Sequence, residues 1–96
     1  MNFQVILTVE AQAQLEQLAA SNARKHLKIH KTLGLLSTNL RSLRLQTYEF
    51  HTLSGLNGEN VFGAYVENNT PSAFRVFWYY GPGKAVIIVF LISLHP

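Results

Sequence analysis

The sequence predicts an α+β domain: two N-terminal helices packed on one face of a mostly antiparallel sheet, in the order β-α-α-β-β-β-β. Three observations carry this. Apolar residues recur at helical spacing between residues 9 and 36. From Leu43 onward the pattern turns to strand formers separated by hairpin turn signals. A short branched segment, Phe3 to Leu7, precedes the helices and reads as a leading strand.

Thr8 is a candidate helix N-cap, and Glu10 follows in the first turn, where an acid suits the helix dipole. Ala11, Leu15 and Leu18 then form one apolar stripe, and Ser21-Asn22 breaks the helix. A second helix is expected from about Ala23 to Leu36, with Ile29, Leu33 and Leu36 on its buried side. Ser37 to Ser42 reads as a loop. The second strand is expected over Leu45 to Leu53 and the third over Val61 to Val66. Between them, Asn57-Gly58 tolerates the positive φ of a tight turn. After the polar turn Glu67 to Pro71, Ala73 to Tyr80 and Ala85 to Leu94 pair across Gly81-Pro82-Gly83-Lys84.

Length and composition bound the function. The 96 residues make a single domain, residues 1–96, with no internal repeat, and 48% of them are hydrophobic, enough for one core. The absence of cysteine excludes disulfides and thiolate metal sites and fits a reducing cytoplasm. The start, MNFQVILTVEAQAQ, lacks a basic n-region, so no signal peptide is expected. The apolar run Ala85 to Leu94 is far short of the roughly 20 residues of a membrane helix, so no membrane partner is expected. The net charge of +3 fits nucleic acid, an acidic protein partner or plain solubility. No G-x-S-x-G, P-loop or dinucleotide fingerprint occurs, and no cofactor is expected.

Several residues could carry chemistry. On the fourth strand, alternation puts Ala73, Arg75, Phe77 and Tyr79 on one face and Phe74, Val76, Trp78 and Tyr80 on the other. An arginine is almost never fully buried without a partner, so its face is expected to be the open one, with Phe77 and Tyr79 partly exposed. There it would hold phosphate, or pair with Glu49, Glu59 or Glu67. His95 shares the face of Arg75 if the last two strands pair in an even-sum register, and points to the helices if the sum is odd. Glu49 and His51 share a face of the second strand, as a proton acceptor and its tuner or as a rim pair. Arg24, Lys28 and Lys31 form a basic stripe on the second helix, with Lys25 beside it, either a phosphate or partner contact or a solvated face. His26 and His30 have metal-pair spacing, but without HExxH or a third ligand they read as surface residues, and no metal is expected.

The element order, "HTLSG" at His51 to Gly55, "AFRVFWYY" around Arg75 and the terminal "SLHP" resemble the RelE/ParE toxin superfamily of bacterial type II toxin–antitoxin systems, over essentially the whole chain. In its mRNA-cleaving branch, the resemblance implies, the toxin enters the ribosomal A site and the mRNA 2′-hydroxyl attacks the adjacent phosphate. Arg75 matches the family's strand arginine and would hold phosphate; His95 matches the C-terminal histidine of one subgroup and would act as general acid or base. Tyr79, Tyr80, Glu49 and His51 are second-rank catalytic candidates, and Arg24, Lys28, Lys31, Arg41, Arg44 and Lys84 are the nucleic-acid-binding candidates. Proline stands at 96 where that subgroup ends in tyrosine. The implied partners are a small acidic antitoxin and, for an interferase, the ribosome and mRNA. The gyrase-poisoning branch shares the fold and needs no nuclease site, so the resemblance leaves a protein-binding or degenerate member open.

Overall fold

A computed structural model describes residues 2–67 and 73–94. Its elements are β1 (Gln4–Leu7), α1 (Val9–Ser21), α2 (Ala23–Thr38), β2 (Tyr48–Ser54), β3 (Asn60–Tyr65), β4 (Phe74–Tyr80) and β5 (Val86–Leu94). This is the predicted order. The sheet runs β1-β5-β4-β3-β2; β1 pairs parallel to β5 and every other pair is antiparallel.

Local chemistry explains the boundaries. The Thr8 hydroxyl accepts from the Ala11 amide at 3.2 Å and starts α1. Asn22 serves both helices: its backbone N–H donates to Leu18, and its side chain accepts from the Lys25 amide at 3.2 Å. Helix α2 runs to Thr38, two residues beyond the expected Leu36. Its end is tied to the first strand, since Phe3 N–H donates to the Ser37 carbonyl and Ser37 Oγ to the Phe3 carbonyl, both at 2.8 Å. Strand β2 starts at Tyr48 rather than Leu45, because Gln46 adopts a left-handed φ of 46° that no strand tolerates. Leu45 is instead tucked into the core. Gly58, at φ 80°, supplies the positive dihedral of the β2–β3 turn.

The helices cover one face of the sheet. Leu15, Ile29, Leu33 and Leu36 pack with Val76, Trp78, Ile87 and Val89 in a single core. Phe74 packs against that cluster, as the alternation of β4 predicts. The β4–β5 register carries one irregularity: Phe77 pairs with Leu91, but Trp78 pairs with Val89. Phe90 is therefore an extra residue on β5, a bulge in mid-strand.

Leu36 is fully buried between α2 and the sheet, so Leu36→Ala is expected to cost about 2–5 kcal/mol of unfolding free energy. Urea denaturation followed by the fluorescence of the sole tryptophan, Trp78, measures it directly.

Candidate functional site

The face of β4 turned away from the helices is built around Arg75, which lies opposite Tyr65 on β3 and Ser93 on β5. Arg75 is only 2% exposed. Its guanidinium carbon sits 3.6 Å from the centroid of the Tyr65 ring, a close cation–π stack. Nη1 donates to the Ala73 carbonyl at 3.3 Å, and Nε is buried with no hydrogen-bond partner. No carboxylate joins it among the described residues. Glu67 accepts from Lys25 and Lys28, Glu49 lies beside His51, and Glu59 accepts from the Asn57 amide.

The expected open face is a correction. Phe77 is 1% and Tyr79 6% exposed, and both are buried with Arg75. The reason is a second, aromatic layer. Phe50 packs on Phe77 at 5.0 Å between ring centroids, Phe90 on Tyr79 at 5.6 Å, and Tyr48 on both Phe50 and Tyr65. Among the described residues, the partner of the buried arginine is the π face of Tyr65 and no acid.

Tyr48 belongs to the same site. It pairs across β2–β3 with Gly63, where a Cβ would come within 2.7 Å of the tyrosine ring. The bare backbone of Gly63 thus lets the ring lie across the sheet. Its hydroxyl is buried and unpartnered. Burial pushes that hydroxyl above the ordinary tyrosine range, and the nearby Arg75 charge opposes the rise. The guanidinium therefore lies near the phenol, yet no bond of full hydrogen-bond geometry joins them.

Beside this cluster, between α2 and the segment leading into β2, lies a cleft of about 340 Å³. Lys28, Lys31 and Arg44 line it, over an apolar floor that includes Leu35 and Leu45, and Tyr65 forms part of its wall. Tyr65 is thus shared by the cleft and the buried arginine. Glu67 also faces the cleft, with one oxygen held by Lys25 at 2.6 Å and Lys28 at 2.9 Å.

The structure brings together some of the candidate residues and separates others. Arg75 and Tyr79 share the helix-free face, and Lys28, Lys31 and Arg44 converge in the adjacent cleft. Glu49 pairs with Phe62, which pairs with Trp78, so it stands on the opposite face from Arg75; His51 lies 3.6 Å from it. Tyr80 packs on Phe3 and Phe62, also on that opposite face. Arg24 and Arg41 are exposed and line no part of the cleft, and Lys84 lies in the turn at the far end of β4. His95 falls outside the described residues. The register beside it, Arg75 with Ser93 and Phe74 with Leu94, is the even-sum one. His26 and His30 rings stand 4.5 Å apart, and among the described residues no cluster of three or more His, Cys, Asp or Glu could hold a metal.

Tyr48 and Tyr65 escaped the sequence reading. A signal for Tyr65 existed, since Tyr65 and Arg75 lie equally far from Thr70, so a hairpin folded about that polar turn sets them opposite each other.

No protein-family model matches the sequence, and no curated protein does. Two solved structures share the fold. One is a YoeB/ParE toxin from Agrobacterium tumefaciens, at a TM-score of 0.72 and 13% identity, covering 98% of this chain and 100% of that one. The chain has the RelE/ParE toxin fold. The other, an archaeal RelE-RelB complex from Pyrococcus horikoshii OT3, aligns at a TM-score of 0.59 and 15% identity over 98% of this chain and 96% of that one. At these identities the likeness is one of fold, and the RelE/ParE-like architecture here carries an arginine under an aromatic layer. No helix among the described residues is long and apolar enough to cross a membrane.

The Glu67 clamp gives this site a pH dependence. Hydrogen bonds from Lys25 and then Lys28 hold its carboxyl below the ordinary value of 4.5. A depressed carboxylate stabilises the fold fully above its unfolded pKa, and that stability is lost as pH falls through the folded value. The stability gap between wild type and Glu67→Gln is therefore expected to be constant near neutrality and to close as pH drops below about 4.5. Thermal unfolding across that range tests it; a gap that widens on acidification contradicts the clamp.

Proposed function

We propose that this chain is the toxin of a type II toxin–antitoxin pair and acts in the cytoplasm as an endoribonuclease on ribosome-bound mRNA, with a small acidic antitoxin as its cognate partner. The observation that carries the reading is a guanidinium at the centre of the helix-free sheet face, bound by no carboxylate among the described residues and next to a cleft bearing three cations. Guanidinium forks match phosphate oxygens, and an arginine without an acid keeps that capacity for a ligand.

The chemistry is a transesterification. The 2′-hydroxyl oxygen attacks the neighbouring phosphorus as a base removes its proton, and the 5′-oxygen leaves as an acid supplies one. The products are a 2′,3′-cyclic phosphate and a 5′-hydroxyl. Arg75 offsets the charge that builds on the phosphorane oxygens. His95 is the proton carrier, as an imidazole can give or take a proton near neutral pH. Lys28, Lys31 and Arg44 hold the flanking backbone electrostatically. Glu49 and Tyr80 stand on the opposite face from Arg75, so this mechanism assigns them no step.

One observation favours a second reading. Arg75 is 2% exposed, which suits a member that acts only by binding protein, gyrase or an antitoxin. Mapping mRNA ends in growing cells separates the two. The wild type is expected to cut translated messages, with cuts falling about 100-fold or more in His95→Ala. They are also expected to fall in Arg75→Ala and in the surface variant Lys31→Glu/Arg44→Glu, whose folding circular dichroism confirms. Growth arrest with intact mRNA would overturn the nuclease reading in favour of protein binding.

A further inference from the structure

Arg75 can donate five N–H bonds; among the described residues one full hydrogen bond leaves it, from Nη1 to the Ala73 carbonyl at 3.3 Å, and its guanidinium lies near the Tyr48 phenol. Its Nε and the Tyr48 hydroxyl are both buried and both unpartnered, on the same face of the sheet. Buried polar groups of this kind are rare in folded proteins, because each costs its full desolvation penalty. Two donors left open side by side, one of them charged, are complementary to an oxyanion. The Tyr65 ring lies on the guanidinium on one side and walls the basic cleft on the other.

We propose that Arg75 Nε and the Tyr48 hydroxyl are the two arms of a buried phosphate-binding site, and that Tyr65 is the gate between it and the basic cleft. An incoming phosphate is drawn into the cleft by Lys31 and Arg44, displaces the Tyr65 ring from the guanidinium, and accepts from both arms. Tyr48 is a positioning residue: neutral at physiological pH, it keeps its proton to donate. Gly63 is part of the device, because a side chain there would push the Tyr48 ring off the strand. The closed form explains how one arginine can be buried in the free protein and still serve a phosphate ligand. This rests on the nuclease reading for the identity of the phosphate, an RNA backbone, but the site itself does not require cleavage.

The test titrates isotope-labelled protein with inorganic phosphate and, separately, with an uncleavable 2′-deoxy dinucleotide, following the Arg75 Nε–H resonance by NMR. In the wild type both probes are expected to shift that signal, the dinucleotide at lower concentration. Tyr48→Phe, which removes an unpartnered hydroxyl and so leaves the fold intact, is expected to weaken both roughly tenfold. Tyr65→Leu is expected to tighten both, because the stack no longer has to be broken. An Nε–H signal that neither probe moves overturns the proposal, as does affinity unchanged in Tyr48→Phe and Tyr65→Leu. If mRNA cutting depends on Arg75 while these titrations fail, the gated site falls and the nuclease reading stands. If the titrations behave as expected and no mRNA is cut, the site stands and the nuclease reading falls.

Discussion

Strand β4 is buried on both faces, and the rest of the molecule is arranged to make that possible. Two helices can cover only one side of a five-stranded sheet, and α1 and α2 spend their apolar stripes on Val76, Trp78 and their neighbours. The other side has no helix, so the sheet covers it with its own side chains. Tyr48 and Phe50 reach in from β2, Tyr65 from β3 and Phe90 from the bulge on β5. Tyr65 and Phe90 come from the two strands that pair with β4, whereas Tyr48 and Phe50 reach across β3 from β2, so the cover depends on the register of three strand pairs. The bulge at Phe90 serves this cover, since the extra residue places its ring over Tyr79.

Into this layer the sequence inserts one cation. Burying a charge costs several kcal/mol unless good partners repay it. A cation–π stack contributes about 0.5–2 kcal/mol, and one long hydrogen bond adds little. Arg75 keeps a buried Nε without a partner, whereas a leucine or phenylalanine at this position would leave no orphaned donor. Unsatisfied buried groups that a sequence retains are found where function, not stability, sets the residue. In the adjacent cleft, Lys31 and Arg44 favour an anion.

The secondary structure was legible because its signals are local. Thr8 and Asn22 cap helices by their own side-chain oxygens, Gly58 takes a dihedral few other residues accept, and the apolar stripes repeat at a fixed period. The split of β4 into a helix-facing and an opposite side followed from alternation. What alternation could not supply was the environment of the second side. The expectation of an open Arg75 rests on an arginine's need for a partner when buried, and among the described residues that partner is a ring, which alternation does not reveal. The position of Glu49 was also beyond local reading, because Tyr48 and Glu49 alternate and only the pairing of β2 with β3 decides which joins Arg75. Tyr48 joins it. The convergence of Lys28, Lys31 and Arg44 depends on how residues 39–47 cross from α2 to β2, a path set by the buried Leu45 and by Gln46 rather than by any motif.

Among the described residues it is the Tyr65 ring, and no acid, that covers Arg75. Proton chemical shifts read it most directly, because an aromatic ring 3.6 Å away imposes a strong ring current on the arginine side chain. In the free protein the Arg75 side-chain protons are expected well upfield of their usual positions, returning towards those positions in Tyr65→Leu while the Trp78 resonances stay in place. Arg75 protons at ordinary shifts in the wild type, unchanged when Tyr65 is replaced, would contradict it.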